Sequence, residues 1–135
     1  MPYLLDTNIV SFILKFPHGL AAERFRMTSA DQIFVSSVVE AELRFGAQRM
    51  PSEAHVPQLI EDFLSETPVL AWDSQCARHH ATLRNLLERT PLSWPDSMIA
   101  AHALALDLTL VTNDGAFDRV PGLRLQDWTK GPRLL

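Results

Sequence analysis

Short apolar segments that alternate with helical stretches constrain the fold of this chain more than any other feature of its sequence. In the helical stretches, apolar residues recur every three or four positions, as in helices with one buried face. Strands that alternate with helices through short links predict a parallel sheet covered on both faces. We therefore predict an α/β fold, a three-layer α/β/α sandwich with a short, mostly parallel central sheet. The predicted strands cover residues 2–5, 33–36, 69–70 and 108–112, with an edge strand at 124–125.

Polar residues and prolines in front of the helical stretches predict where each helix begins. A first helix covers about residues 8–14 and a second about 19–26, and an alanine-rich helix over 97–106 has Asp96 at its head. The other predicted starts are Ser37, as the cap of a helix over about 38–49, then Pro51–Glu53, and Asp73 or Ser74.

The composition predicts a single folded domain over residues 1–135. Hydrophobic residues make up 47% of the chain and charged residues 21%, a balance that excludes a disordered protein. The lone cysteine, Cys76, cannot form an internal disulfide and fits a reducing cytoplasm. No apolar run is long enough for a membrane span and the N-terminus lacks a signal-peptide pattern. We therefore expect a cytoplasmic protein with no membrane partner.

The charge balance does not decide whether the chain acts on nucleic acid. The formal net charge is −4, which ordinarily argues against such a partner. Acidic residues gathered around bound cations reverse the local sign of the charge, however. The placement of the acids therefore carries more information than their number.

Three aspartates stand where strands end or helices begin. Asp6 directly follows the first strand, Asp114 follows the fourth, and Asp96 precedes the alanine-rich helix. Ligands of open parallel α/β sheets bind just beyond the carboxyl ends of the strands, so these aspartates are candidates for chemistry. A helix cap is the alternative for Asp6 and Asp96, and a simple turn is the alternative for Asp114.

Glu42 is the acid in the helix over 38–49 whose position needs an explanation. It shares a helical stripe with Val38 and Phe45, so its carboxylate lies on or beside the buried face. A carboxylate in such a place is costly unless something pairs with it. Arg44 and Arg49 are not expected to be that partner. Residues two positions apart on a helix, as Arg44 is, do not face each other.

Carboxylates that converge without cationic partners repel one another strongly. Divalent cations relieve this repulsion, and Mg²⁺ takes one or two carboxylates while keeping several waters. A site of this kind activates a water for attack on a phosphodiester, as in two-metal nucleases. If Asp6, Glu42, Asp96 and Asp114 meet in the fold, they indicate such a site.

The sequence resembles the PIN-domain family, and within it the VapC toxins of bacterial VapBC toxin–antitoxin pairs. The resemblance runs from residue 2 to about residue 128, and its motifs are specific through their joint order and spacing. The motifs are Leu5-Asp6-Thr7-Asn8, Ser36-Ser37-Val38, Glu42-Leu43, Gly46, Asp96, Met98-Ile99-Ala100-Ala101, Val111-Thr112-Asn113-Asp114, Phe117, Gly122-Leu123 and Asp127-Trp128.

This resemblance implies a PIN-like domain that acts as a Mg²⁺- or Mn²⁺-dependent endoribonuclease toxin of a type II toxin–antitoxin system. The implied substrate is structured RNA, tRNA above all, cut to leave a 3′-hydroxyl and a 5′-phosphate. The implied partners are a cognate VapB-type antitoxin that inhibits the toxin and a second copy of the chain in a homodimer. Asp6, Glu42 and Asp96 are implied to bind the metal, with Asp114 as the fourth acid and Asp118 as a weaker substitute for it.

Neighbours of the acids are implied to orient them. Thr7 and Asn8 are expected to position Asp6, and Thr112 and Asn113 to position Asp114.

Other chemistry-bearing side chains have simpler interpretations. His79, His80 and His102 lack the spacing of zinc ligands and are predicted to pack or to lie on the surface. Among the tryptophans, Trp94 lies in a loop beside Asp96 and is the one predicted to contact a substrate.

Two rival functions stay open from the residues alone. A phosphatase or phosphoacceptor domain would transfer a phosphoryl group to Asp6. Haloacid dehalogenase-type enzymes want a second aspartate two positions later, where this chain has Asn8. A non-catalytic binding module on the PIN scaffold is the second rival, and failure to bind Mn²⁺ with all four acids intact would favour it.

Overall fold

A computed structural model describes residues 2–51 and 53–131 of the chain. In these residues five strands form one sheet in the order β3-β2-β1-β4-β5, and every neighbouring pair is parallel. Helices flank this sheet, which confirms the predicted three-layer α/β/α sandwich. The strands are β1 (Tyr3–Leu5), β2 (Ile33–Ser36), β3 (Val69–Leu70), β4 (Thr109–Val111) and β5 (Leu125–Gln126).

Helices connect the strands, as the spacing of apolar residues predicts. Helix α5 packs mainly against α6, and α1 packs against α2 and α4. None of the helices within the described ranges combines the length and the apolar content that a membrane crossing requires. The helices are α1 (Thr7–Lys15), α2 (Leu20–Met27), α3 (Ser37–Gln48), α4 (Val56–Glu66), α5 (Ser74–Leu86) and α6 (Trp94–Leu106), with short 3₁₀ helices at Ala30–Gln32 and Gly115–Arg119.

The central strands are buried on both faces. Leu4 and Leu5 of β1 and Leu110 and Val111 of β4 are completely inaccessible to solvent. Continuous burial of this kind explains why consecutive apolar residues occur in these strands instead of an alternation of apolar and polar ones. Helix α6 is also buried around most of its circumference, and its alanines allow close packing against its neighbours.

Three helix starts differ from the sequence prediction. Ser36, not Ser37, caps α3, because its Oγ accepts the backbone N–H of Val38 at 3.1 Å. Ser93 caps α6, so Asp96 lies in the first turn rather than before it. Helix α4 begins at Val56 instead of Pro51–Glu53, a prediction that includes Ser52, which lies outside the described residues. Pro57 in its first turn explains this start, because proline is tolerated there and not in a helix interior.

The cap of α3 makes a stability prediction. Ser36 is fully buried, and its Oγ also lies 2.8 Å from Nδ1 of His102. Ser36→Ala removes the cap and leaves buried polar groups without a partner. We therefore expect the free energy of unfolding to fall by about 1–3 kcal/mol in urea denaturation. The exposed Ser29→Ala is the control, with an expected change below about 0.5 kcal/mol. Equal unfolding midpoints for the two variants would contradict the role of the cap.

Candidate functional site

The strand order places the ends of β1 and β4 at the point where the sheet topology reverses. Strand β1 pairs with β2 on one side and with β4 on the other, all in parallel. Asp6 follows β1 and Asp114 follows β4, so both aspartates lie at the carboxyl edge of the sheet. A reversal of strand order opens a crevice at this edge, which is where open α/β sheets bind their ligands.

The carboxylate of Asp6 is held by two residues, one just after β1 and one just after β4. Asp6 is only 4% exposed to solvent. Its Oδ1 accepts the backbone N–H of Thr7 at 2.8 Å, and its Oδ2 accepts the hydroxyl of Thr112 at 2.8 Å. Asp6 therefore caps α1, as the alternative interpretation proposed. The contact with Thr112 goes beyond a cap, because it fixes the orientation of the carboxylate from β4.

The surroundings of Asp6 disfavour the negative charge of its carboxylate. Burial raises the pKa of Asp6 to about 6 against the hydrogen bonds from Thr112 and Thr7, which lower it. The negative charges of Asp96 and Glu42 raise this pKa further. Asp96 and Glu42 therefore lie close enough to Asp6 for their charges to act on it.

Glu42 reaches this site from α3. It is half-buried, and its Oε1 accepts the hydroxyl of Thr7 at 2.6 Å. Arg44 instead pairs with Glu40 and Glu61, each at 2.9 Å, as expected from its direction on the helix. The hydroxyl and the backbone N–H of Thr7 thus hold two different carboxylates, those of Glu42 and Asp6.

Asp96 is half-buried in the first turn of α6. Its backbone N–H donates to Oγ of Ser93 at 3.2 Å, so Ser93 performs the capping that was the alternative role for Asp96. Burial raises the pKa of Asp96 against a hydrogen bond with Ser93, and the charge of Asp114 raises it further. The effect of Asp114 on this pKa indicates that the carboxylates of Asp96 and Asp114 lie near each other.

Asp114 caps the 3₁₀ helix that follows β4. Its Oδ1 accepts the backbone N–H of Ala116 at 2.9 Å, and its own N–H donates to the hydroxyl of Thr112 at 3.1 Å. The turn that was the alternative reading of Asp114 therefore exists. Through Thr112, this turn is connected to the carboxylate of Asp6. Asp118 lies on the same 3₁₀ helix and is exposed.

The residues predicted to orient the acids divide into two groups. Thr7 and Thr112 make the hydrogen bonds described above, although the hydroxyl of Thr112 donates to Asp6 rather than to Asp114. Asn8 and Asn113 are exposed, and within residues 2–51 and 53–131 their side chains make no hydrogen bond to the acids. Of these four predicted neighbours, the two threonines are therefore the ones that contact the carboxylates.

The four carboxylates are suitable ligands for a hard cation such as Mg²⁺ that retains part of its hydration shell. None of the ion pairs in the described residues includes any of the four acids, so their charges are uncompensated by protein cations. No three acidic, histidine or cysteine side chains in those residues are grouped closely enough to hold one metal ion between them. Oxygen ligands in an open arrangement suit Mg²⁺, which typically binds one or two carboxylates and retains waters. The four acids do not form a site in which protein ligands alone would fill the coordination sphere of the metal.

Sequence reasoning missed Ser93, although the sequence carries a signal for it. Ser93-Trp94-Pro95-Asp96 follows the pattern of a serine three residues before an acid at the start of an apolar helix. It also missed the contact between Thr7 and Glu42. These residues are 35 positions apart, and nothing local in the sequence indicates that they meet.

The raised pKa of Asp6 predicts how stability depends on pH. In EDTA, the folded protein binds more protons than the unfolded chain between the ordinary pKa of 3.8 and about 6. The free energy of unfolding therefore falls as the pH rises through this window. Asp6→Asn removes the ionised group, so we expect a gain on the order of 2–3 kcal/mol at pH 7 and little change at pH 4.

Urea denaturation at both pH values measures this difference. The exposed Glu66→Gln, at the end of α4, is the matched control and should change stability equally at the two pH values. An Asp6→Asn gain that is the same at pH 4 and pH 7 would refute the assignment of a strained carboxylate.

Comparison with known proteins identifies the family. Residues 3–123 match the PIN domain model. The tRNA(fMet)-specific endonuclease VapC of Salmonella typhimurium is 35% identical over 131 residues, which cover 95% of this chain and 98% of the relative. All four candidate acids lie within the residues matched to the PIN domain.

Solved structures agree with this match. The DNA-bound VapBC from Salmonella typhimurium has a chain with a TM-score of 0.87 and 35% identity, covering 95% of this chain and 98% of its own. A chain of VapBC2 from Rickettsia felis, bound to a DNA fragment from its promoter, has a TM-score of 0.86 and 30% identity, with coverages of 95% and 99%. The chain therefore belongs to the PIN-domain family and, within it, to the VapC ribonucleases.

Proposed function

We propose that this chain is a Mg²⁺- or Mn²⁺-dependent endoribonuclease toxin of a type II toxin–antitoxin pair. The observation that carries the proposal is the buried carboxylate of Asp6, which is repelled by Asp96 and Glu42 and has no cationic partner in the described residues. A protein maintains such an arrangement at a cost in stability, and a bound divalent cation offsets that cost. The kinship with ribonucleases supports the assignment of the reaction.

The carboxylates of Asp6, Glu42, Asp96 and Asp114 would surround the metal, with one or two of them binding it directly and the others acting through its retained waters. When bound, Mg²⁺ or Mn²⁺ supplies positive charge for the phosphodiester and lowers the pKa of a water, which permits hydrolysis to a 3′-hydroxyl and a 5′-phosphate. Thr112 keeps Oδ2 of Asp6 in a fixed direction through its hydroxyl. Thr7 holds the carboxylates of Asp6 and Glu42 in a fixed relation to each other.

The proposed substrate is structured RNA, and tRNA in particular. The name of the Salmonella typhimurium relative, tRNA(fMet)-specific endonuclease VapC, supports this choice at 35% identity. The proposed partner is a VapB-type antitoxin that inhibits the enzyme, because similar chains were solved as VapBC complexes. We further propose that residues 1–135 act as one PIN-like domain, in a homodimer, in the cytoplasm.

Inducible expression in bacteria tests the proposed function. The wild-type chain should arrest growth, and sequencing of cellular RNA should reveal new 5′ ends in tRNA. Asp6→Ala should abolish both effects because it removes the buried metal ligand. Glu66→Ala, a surface acid next to β3 and away from the carboxyl edge of the sheet, should behave as the wild type.

The purified wild type should cleave tRNA with Mg²⁺ or Mn²⁺ and lose the activity in EDTA. Equal growth arrest from the wild type and Asp6→Ala would contradict the nuclease assignment. Failure of the intact protein to bind Mn²⁺ would point instead to a non-catalytic binding module.

The hydrogen bond from Thr112 makes a separate kinetic prediction. Thr112→Val keeps the shape of the side chain but removes the hydroxyl that donates to Asp6, so the carboxylate loses its orientation. We expect kcat for tRNA cleavage to fall about 10- to 100-fold, the usual effect of removing a group that orients a metal ligand. Thr82→Val, on the exposed surface of α5, is the control. An unchanged kcat with Thr112→Val would exclude the orienting role.

A further inference from the structure

A cleft beside α6 lies outside the set of four acids. Its volume is about 590 Å³, within the range of roughly 300–1,000 Å³ that is typical of small-molecule sites. Helix α5, the loop that follows it and the first turn of α6 form its walls. The walls combine apolar and polar groups, among them Leu92, Trp94, Arg84, Asn85 and Glu88.

Trp94 is the most unusual residue of this cleft. It begins α6 and is 56% exposed, although it carries one of the largest apolar side chains in the protein. The guanidinium carbon of Arg84 lies 4.1 Å from the centre of its ring, a stacked cation–π contact. Arg84 and Trp94 together therefore present a flat, positively charged surface to solvent. We refer to this pair as the stacking platform.

The platform is held rigidly from below by His80. The ring of His80 meets that of Trp94 nearly edge-on, with centroids 5.3 Å apart, and its Nε2 lies 2.8 Å from Oγ of Ser97. Oγ of Ser97 donates its single hydrogen to the carbonyl of Trp94 at 2.8 Å, so Nε2 of His80 must be the donor to Ser97. Both the ring and the backbone of Trp94 are thus fixed in place before any ligand arrives.

The platform lies on the same helix as one of the candidate acids. Trp94 and Asp96 share the first turn of α6, although side chains two positions apart leave a helix in different directions. Unpaired RNA bases stack on aromatic rings and on arginine guanidinium planes, and their edges form hydrogen bonds with polar side chains. Asn85 provides an amide donor and acceptor in the same cleft, and Glu88 provides carboxylate acceptors.

We propose that the Arg84–Trp94 platform and its cleft bind one unstacked base of the RNA substrate at the start of α6, the helix that also carries Asp96. This inference rests on the proposed ribonuclease function and adds a base-binding subsite to it. The guanidinium of Arg84 favours RNA over an apolar protein partner because it attracts phosphates, and the carboxylate of Glu88 in the same cleft accepts from the edge of a base. A protein partner at this surface is one of the outcomes that the test separates.

Fluorescence anisotropy measures the contribution of the base. The probes are a labelled ten-nucleotide adenine RNA and an abasic oligomer of the same length, which carries the phosphates but no bases. Every protein carries Asp6→Asn so that the RNA stays intact. We expect the reference protein to bind the adenine RNA about 5- to 100-fold more tightly than the abasic oligomer, the range for stacking of one base.

Trp94→Ala and Arg84→Ala should each remove most of this preference, and Trp94→Phe should retain a large part of it. Two matched controls should leave the preference unchanged. Phe16→Ala alters an aromatic residue that is 55% exposed at the far end of α1, and Arg78→Ala alters an exposed arginine on α5 that lines a different surface.

Three results would overturn the proposal. The reference protein could lack a preference for bases, or Trp94→Ala could keep it, or the platform variants could change only the oligomeric state in size-exclusion chromatography. If circular dichroism shows that Trp94→Ala is misfolded, Arg84→Ala decides. Cleavage of tRNA is measured separately in proteins with Asp6 intact. Absence of cleavage contradicts the proposed function, whereas loss of the base preference tests the platform alone.

Discussion

The burial of an ionisable carboxylate, that of Asp6, is the constraint on which the rest of this structure depends. The carboxylate lies where β1 and β4 end, and burial and neighbouring acids both oppose its ionisation there. Hydrogen bonds from Thr7 and Thr112 reduce this penalty without removing it. The apolar core around it, in which Leu4, Leu5 and Leu110 are fully buried, stabilises the fold as a whole and so offsets the cost of this group.

Much of the fold and of the candidate site was predictable because the relevant signals are local. Each strand is a short apolar run, and a polar residue marks its end. Asp6 and Asp114 could be placed at the carboxyl edge of a parallel sheet from this pattern alone. Glu42 could be singled out because a carboxylate on an apolar stripe is costly. The order and spacing of these motifs also carried the resemblance to the PIN-domain family, which the comparisons confirm.

The hydrogen bonds of the site were beyond sequence reasoning because they join distant parts of the chain. Thr112 accepts the backbone N–H of Asp114, a contact that sequence proximity indicates, but it also donates to the carboxylate of Asp6, 106 positions away, which no local pattern indicates. Thr7 reaches Glu42 only because α3 packs near the start of α1. The rigid support of Trp94 by His80 and Ser97 likewise depends on how α5 lies against α6. Tertiary packing decides such contacts, and a single sequence does not encode them in any local pattern.

The lengths of the outer strands have a consequence for assembly. In the described part of the sheet, β3 and β5 form the two edges, and each is two residues long. Edges this short expose too few backbone donors and acceptors to recruit a strand from another chain. Complexes of this protein are therefore expected to form through helical and loop surfaces, and the sheet remains an internal scaffold that no partner extends.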